Sequence, residues 1–302
     1  MPELPDVTVY VESIAERVKG APLRAIRVAS PFVVRTFDPP LNAAAGKRVL
    51  EVRRLGKRIV FVLEDGLFLV VHLMIAGRFK WMEPGAKIPA KVGLAAFDFP
   101  SGTLLLTEVA TKKRASIHLA RSLDEFRRSG IEPLEATREE FEAALRRENH
   151  TLKRSLTDPR LFSGIGNAYS DEILHRAKLS PALLTQKMSA AEVSALVQST
   201  HAVLTEWTQR LREEARAGFP EKVTAFRPDF AVHGKYRQPC PACGTAVQRI
   251  AYADNETNYC PRCQTGGKLL SDRSLARLLH DDWPRTIEEL EEKFPAPRKS
   301  SG

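Results

Sequence analysis

All four cysteines of the chain sit in one short stretch, as Cys240-Pro-Ala-Cys243 and, sixteen residues further on, Cys260-Pro-Arg-Cys263. A secreted disulfide framework spreads its cysteines over the domain it staples, so this clustering points instead to a metal site in a reducing compartment. Each pair can chelate from one knuckle. Two pairs at this separation complete a tetrahedral thiolate shell for Zn2+ on a hairpin too small to fold by burial alone. A redox dithiol is the alternative, but it needs one such pair rather than two. The expectation is a structural zinc ion held by Cys240, Cys243, Cys260 and Cys263.

The remaining sequence is long enough for two or three domains, with 302 residues of which 43% are hydrophobic. No apolar run approaches the ~20 residues needed to cross a bilayer. The front end carries Glu3 and Asp6 rather than a basic stretch before an apolar one, so a cytosolic protein without membrane contact is expected. Lys and Arg outnumber Asp and Glu by 46 to 37, a net charge of +9. Such a balance suits a polyanionic partner such as nucleic acid, and it suits plain solubility equally well.

Along the chain the texture changes twice. Val7, Val11, Ile14 and Val18 recur at helical spacing, which predicts one amphipathic helix from Leu4 to Lys19 with Gly20 as its stop. Short β-branched or aromatic runs follow, among them 58–63, 67–73 and 102–107, separated by turn signals such as Glu64-Asp65-Gly66 and Pro100-Ser101-Gly102. They predict an antiparallel sandwich or barrel that closes near Arg121. After Gly130-Ile-Glu-Pro133 helices are expected over 138–149, 151–157, 168–177 and 189–217, the last opened by Ser189 and Glu192 in a capping-box pattern. Two helices joined by a glycine-containing turn occur in DNA-binding modules and in plain bundles alike. Beyond the cysteines, helices are expected over 269–280 and 285–294.

The first residues, Met-Pro-Glu-Leu-Pro-Asp, carry chemistry of their own. Once Met1 is removed, Pro2 presents a free secondary amine, and an α-amino group titrates about two units below a lysine side chain. Such an amine can attack the anomeric carbon of a sugar, expel a base and form an iminium with the opened ring, while Glu3 beside it gives and takes a proton. On three residues alone the same string is an ordinary start of a chain.

Taken together, Pro2-Glu-Leu-Pro-Asp6, Gly56-Lys57, His72-Leu73, the loop Gly164-Ile-Gly-Asn167-Ala-Tyr169 and the four-cysteine finger resemble, in order and spacing, the Fpg/Nei family of bifunctional DNA glycosylases over roughly residues 1–265. The resemblance implies an α+β multidomain fold: a β-sandwich with an N-terminal helix over 1–125, a helix-two-turns-helix domain over 130–235 and a zinc-finger hairpin over 236–266, followed by a helical extension over 267–302. It implies a monomer that acts on damaged DNA, double-stranded and also single-stranded or in bubbles, flipping the base out of the stack. Pro2 is then the Schiff-base nucleophile, Glu3 the proton donor and Lys57 the lysine that assists β-elimination. His72, Ile75, Lys153, Asn167 and Asn255 are the DNA contacts. By themselves, Lys57 among its arginines reads as a solvated basic face and His72 as a satisfied core histidine. Asn167 stands at a helix start, where N–H groups and the dipole favour an anion.

Three departures from the family pattern carry consequences. Asp6 replaces a second Glu and is expected to cap the first helix. Asn255 stands where the finger carries an Arg, and an amide has no bidentate grip on phosphate, so cleavage is expected to stop at β-elimination and Lys235, Arg237 or Arg249 to supply the charge. Met74 or Ile75 is available to fill the gap left by a flipped base, with Thr111-Lys-Lys-Arg114 where an Arg and an aromatic wedge would sit. The short stretch from Gly218 to Val232 favours oxidised pyrimidines as substrates.

Overall fold

The computed structural model describes residues 1–221, 227–252, 255–270 and 284–293. The chain divides into two compact units, Met1–Ser129 with Leu204–Ala225, and Gly130–Val203 with the remainder. Among the described residues no helix is long and apolar enough to cross a membrane.

The first unit opens with helix α1 (Leu4–Val18). Glu3 is its N-cap and Pro5 lies in the first turn, where a missing N–H and a fixed φ cost nothing. Asp6 caps as expected: its carboxylate accepts the N–H of Glu3 at 2.9 Å. Val7, Tyr10, Ile14 and Val18 are fully buried along one face of the helix. The front end is therefore docked on the sandwich rather than loose.

Eight strands follow: β1 (Ala25–Val28), β2 (Val49–Leu55), β3 (Arg58–Leu63), β4 (Phe68–His72), β5 (Gly77–Met82), β6 (Gly93–Phe99), β7 (Gly102–Glu108) and β8 (Ser116–Ala120). They form two antiparallel four-stranded sheets, ordered β1-β6-β7-β5 and β2-β3-β4-β8. Ile59, Phe61, Leu69, Val71 and Leu119 face the shared core with α1, while Val60, Val70 and Ala120 point the other way onto Leu123 and Phe126. Both faces of this sheet are covered, which is why its strands read as continuous apolar runs without alternation.

The second unit is helical, with α2 (Arg138–Arg146), α3 (Leu152–Thr157), α4 (Asn167–Arg176) and α5 (Ala190–Ala215), the last continuing into the first unit from Leu204. Helix α2 stops three residues short of the expected end because Thr151 is the extended N-cap of α3, its hydroxyl accepting from Arg154 N–H, and the chain must leave the helix to reach it. Ser189 and Glu192 bond reciprocally at the start of α5, as their pattern predicts. The finger is a hairpin of β9 (Gln248–Ala251) and β10 (Glu256–Tyr259) followed by α6 (Pro261–Thr265). A last helix, α7 (Ile287–Lys293), matches the expected 285–294, whereas the helix expected over 269–280 lies almost wholly outside the described residues.

Candidate active site

In the first unit, the N-terminal residues gather the expected catalytic groups. Pro2 is buried, and Glu3, 2% exposed, is fixed by its place at the head of α1. The α-amine of Met1 is held below its ordinary value, chiefly by burial. The positive charges of Arg78 and Lys57 push the same way, and Glu3 and Asp6 oppose them. Lys57 is half-buried in the two-residue turn between β2 and β3, where Leu55 pairs with Arg58. Gly56 takes the positive φ of 60° that this tight hairpin needs. The lysine's place is thus set by hairpin geometry. Arg78 was not singled out by sequence. Its signal was a cation directly after the glycine that ends the His-Leu loop.

That loop is tightly made. Gly77 N–H closes a turn onto Leu73 O at 2.9 Å, and a Cβ at Gly77 would stand 2.2 Å from that same oxygen. Met74 takes a left-handed φ of 54° and lays its sulfur against His72 Nδ1, while Ile75 projects outward, 53% exposed. Of the two wedge candidates, Ile75 is the one presented to solvent. His72 is lowered to about 4, first by burial and then by the charges of Arg58, Lys57 and His118, so it is neutral at physiological pH. Across the sheet, Gly77 pairs with Glu108, and Val109, 76% exposed, follows directly. The Glu108 carboxylate holds the 109–115 loop by accepting from Arg114 and Ala115 N–H at 2.8 and 3.0 Å.

In the second unit, α4 carries a buried polar network. Lys153 donates to Asn167 O at 2.6 Å, Ser170 Oγ at 2.9 Å and Asp171 Oδ1 at 2.6 Å. All three ammonium protons are engaged inside the unit, so a phosphate contact by Lys153 would require giving one of them up. The other oxygen of Asp171 accepts from Asn258 N–H and is 2.8 Å from His233 Nδ1. Glu172 accepts the N–H groups of Ala231, Val232 and His233 at 2.8, 2.9 and 2.9 Å. Sequence reasoning passed over Asp171, Glu172 and His233. Nothing local marks them, because the chain that covers them lies some 60 residues on. Asn167 Nδ2 donates to Glu256 O on the finger at 2.9 Å.

The four cysteine sulfurs lie within 4.8 Å of one another, with Cys240–Cys263 at 4.0 Å and Cys243–Cys260 at 3.4 Å. A tetrahedral ZnS4 unit has S–S edges of about 3.8 Å, so the donor set fits zinc. Thr245 lowers Cys243 by hydrogen bonding against the upward effect of burial, while burial raises Cys260 and Cys263. On the hairpin, Asn255 is exposed and its carbonyl accepts Tyr252 N–H at 2.7 Å. Arg249 stacks on Tyr236, 4.4 Å from the ring centre, and pairs with Glu256 at 3.2 Å, while Lys235 donates to Pro228 O.

Family models match three consecutive segments: the formamidopyrimidine-DNA glycosylase N-terminal domain over residues 1–124, its H2TH domain over 130–213, and the zinc finger found in FPG and IleRS over 237–266. A formamidopyrimidine-DNA glycosylase of Solibacter usitatus is 31% identical over 279 residues, covering 87% of this chain and 99% of that protein. The chain belongs to the Fpg/Nei family. A Thermus thermophilus formamidopyrimidine-DNA glycosylase is 33% identical over 277 residues, covering 88% of this chain and 100% of that protein. Among solved structures, a Lactococcus lactis FPG mutant in complex with a Fapy-dG containing DNA has a TM-score of 0.77 at 26% identity, over 87% of this chain and 100% of that one. Wild-type Lactococcus lactis FPG with an oxidized pyrimidine containing DNA has a TM-score of 0.76 at 26% identity, with the same coverage. This Fpg/Nei chain is a DNA-repair enzyme of the glycosylase class for oxidised bases, with a structural zinc ion in its finger.

Proposed function

We propose that this protein excises oxidised bases from DNA through Pro2 and then nicks the strand as an AP lyase, acting as a monomer in the cytoplasm and on the nucleoid. The observation that carries the reading is the terminus itself. Residues 2 and 3 are buried at the head of a docked helix, and the Met1 α-amine just before them feels the charges of Lys57 and Arg78. After loss of Met1, the Pro2 nitrogen attacks C1′ of the extruded nucleotide. The glycosidic bond breaks and the base leaves with the proton shed by the Pro2 nitrogen, while Glu3 protonates the ring oxygen so that the C1′–O4′ bond opens to an iminium. A free α-amino group titrates about two units below a lysine side chain, which leaves the unprotonated fraction that this attack needs. Removal of a C2′ proton, assisted by Lys57, then expels the 3′ phosphate. Asn167 and His72 are the contacts to the backbone, and Ile75 fills the gap in the stack.

With an amide at position 255, the reaction is expected to end at β-elimination. Oxidised pyrimidines are the favoured substrates on the short 218–232 stretch, part of which lies outside the described residues. A second reading, ring-opened purines, is favoured by the names of the relatives. Incubation with an abasic-site duplex and borohydride tests the mechanism: a covalent adduct lost in Pro2→Gly supports it, and tight binding without trapping marks a non-catalytic damage binder. Parallel turnover of an oxidised-pyrimidine and a formamidopyrimidine duplex ranks the substrates, and a δ-elimination product would refute the β-only expectation.

A further inference from the structure

His175 is buried near the end of α4, and its Nε2 lies 3.2 Å from Cys240 Sγ. Among the described residues, the other donors to the sulfurs come from the finger's own chain. Cys263 N–H reaches Cys260 Sγ at 3.5 Å, and Thr245 bonds Cys243 through hydroxyl and backbone. His175 comes from outside the hairpin. It also belongs to a stripe: Asn167, Asp171 and His175 follow at four-residue intervals, which places them along one face of α4. Each reaches the finger, Asn167 at Glu256 O, Asp171 at Asn258 N–H and His175 at Cys240.

We infer that His175 is a positioning residue of the zinc centre, donating its Nε2–H to the Cys240 thiolate and tying the metal shell to the helix that begins at Asn167. Zn2+ on four thiolates carries a net charge of about −2. Cys243 is exposed and Cys263 half-buried, but Cys240 and Cys260 are 2% and 0% exposed, so the share of that charge on these two inner sulfurs sits away from water and is costly unless donors face them. An imidazole N–H on Cys240 drains electron density from the sulfur, which makes the thiolate a poorer target for protons and oxidants and slows metal loss. The inference rests on the zinc site and is independent of the chemistry at Pro2.

The test compares full-length wild-type, His175→Phe and His175→Gln proteins. Phe keeps a ring of similar bulk without a donor, and Gln restores an N–H at the reach of Nε2. Zinc content is measured first, then zinc transfer to a chromophoric chelator, and finally the sulfur-to-metal charge-transfer band after Co2+ exchange. The expectation is a loss of about 10- to 100-fold in apparent zinc affinity for His175→Phe, with the Co2+ band moved to longer wavelength, and near-wild-type behaviour for His175→Gln. Wild-type transfer rates and an unmoved band in His175→Phe would overturn the inference. Equal zinc loss in both variants would overturn it too, since that outcome assigns the effect to ring packing. A wild-type protein that binds no zinc overturns the metal centre itself and this inference with it.

Discussion

Replacing Lys153 by Met separates two roles for this residue. The side chain is 12% exposed and pairs with an Asp171 that is fully buried, and its three bonds of 2.6–2.9 Å fasten α3 to α4. Removing one partner of a buried pair costs about 3–5 kcal/mol, because the remaining charge is stranded. Here Asp171 keeps Asn258 N–H and His233 on its second oxygen, so the low end, about 3 kcal/mol, applies. At about 2–4 °C per kcal/mol for a unit of this size, the melting transition of the α3–α4 unit should fall by about 6–12 °C. Lys153→Met combined with Asp171→Asn should cost less than the sum, with a coupling of about 1–3 kcal/mol, since the second change removes the stranded charge. Differential scanning calorimetry on the four proteins reads both quantities. A phosphate contact behaves otherwise: removing it weakens DNA binding evenly across sequences and flattens the salt dependence by about one counterion. Unchanged melting with that shallower slope would refute the structural role.

His72 makes stability depend on pH. Its folded value of about 4 lies below the ~6.5 of an unfolded histidine, so between these values the unfolded chain binds the proton that the folded chain refuses. Its contribution is fully present above pH ~6.5 and is lost on acidification toward pH 4, by about 3 kcal/mol. Urea denaturation at pH 7.5 and 4.5 should show this difference shrinking in His72→Gln, and identical pH profiles would contradict it. Gly77→Ala drives a Cβ into Leu73 O and should open the turn that presents Ile75, lowering glycosylase turnover more than the sandwich's melting temperature. Equal turnover in the two proteins would argue against a preformed wedge. Stripping zinc with a chelator should abolish hydrogen-exchange protection in β9 and β10 while leaving β3 and β4 protected, as read by mass spectrometry. Persistent protection in the hairpin would mean that it folds without metal.

Much of this protein is local in origin and could be read from the chain. Strand β3 falls on 58–63 as its composition predicts, α1 on the spacing of Val7, Ile14 and Val18, and the zinc shell on two Cys-x2-Cys knuckles, because each depends on residues a few positions apart. The cap that Asp6 places on Glu3 is likewise a three-residue matter. What only the tertiary structure decided depends on partners far off in sequence. Lys153 is a DNA contact by resemblance alone, and only the fold shows its ammonium closed on Asp171. Asp171 and Glu172 meet residues 231–233 and 258, and His175 meets Cys240, across separations that no local pattern reports. A side chain's charge is written in the sequence, but whether it meets water or another group is settled by which distant segment folds over it. Burial then fixes what that charge can do.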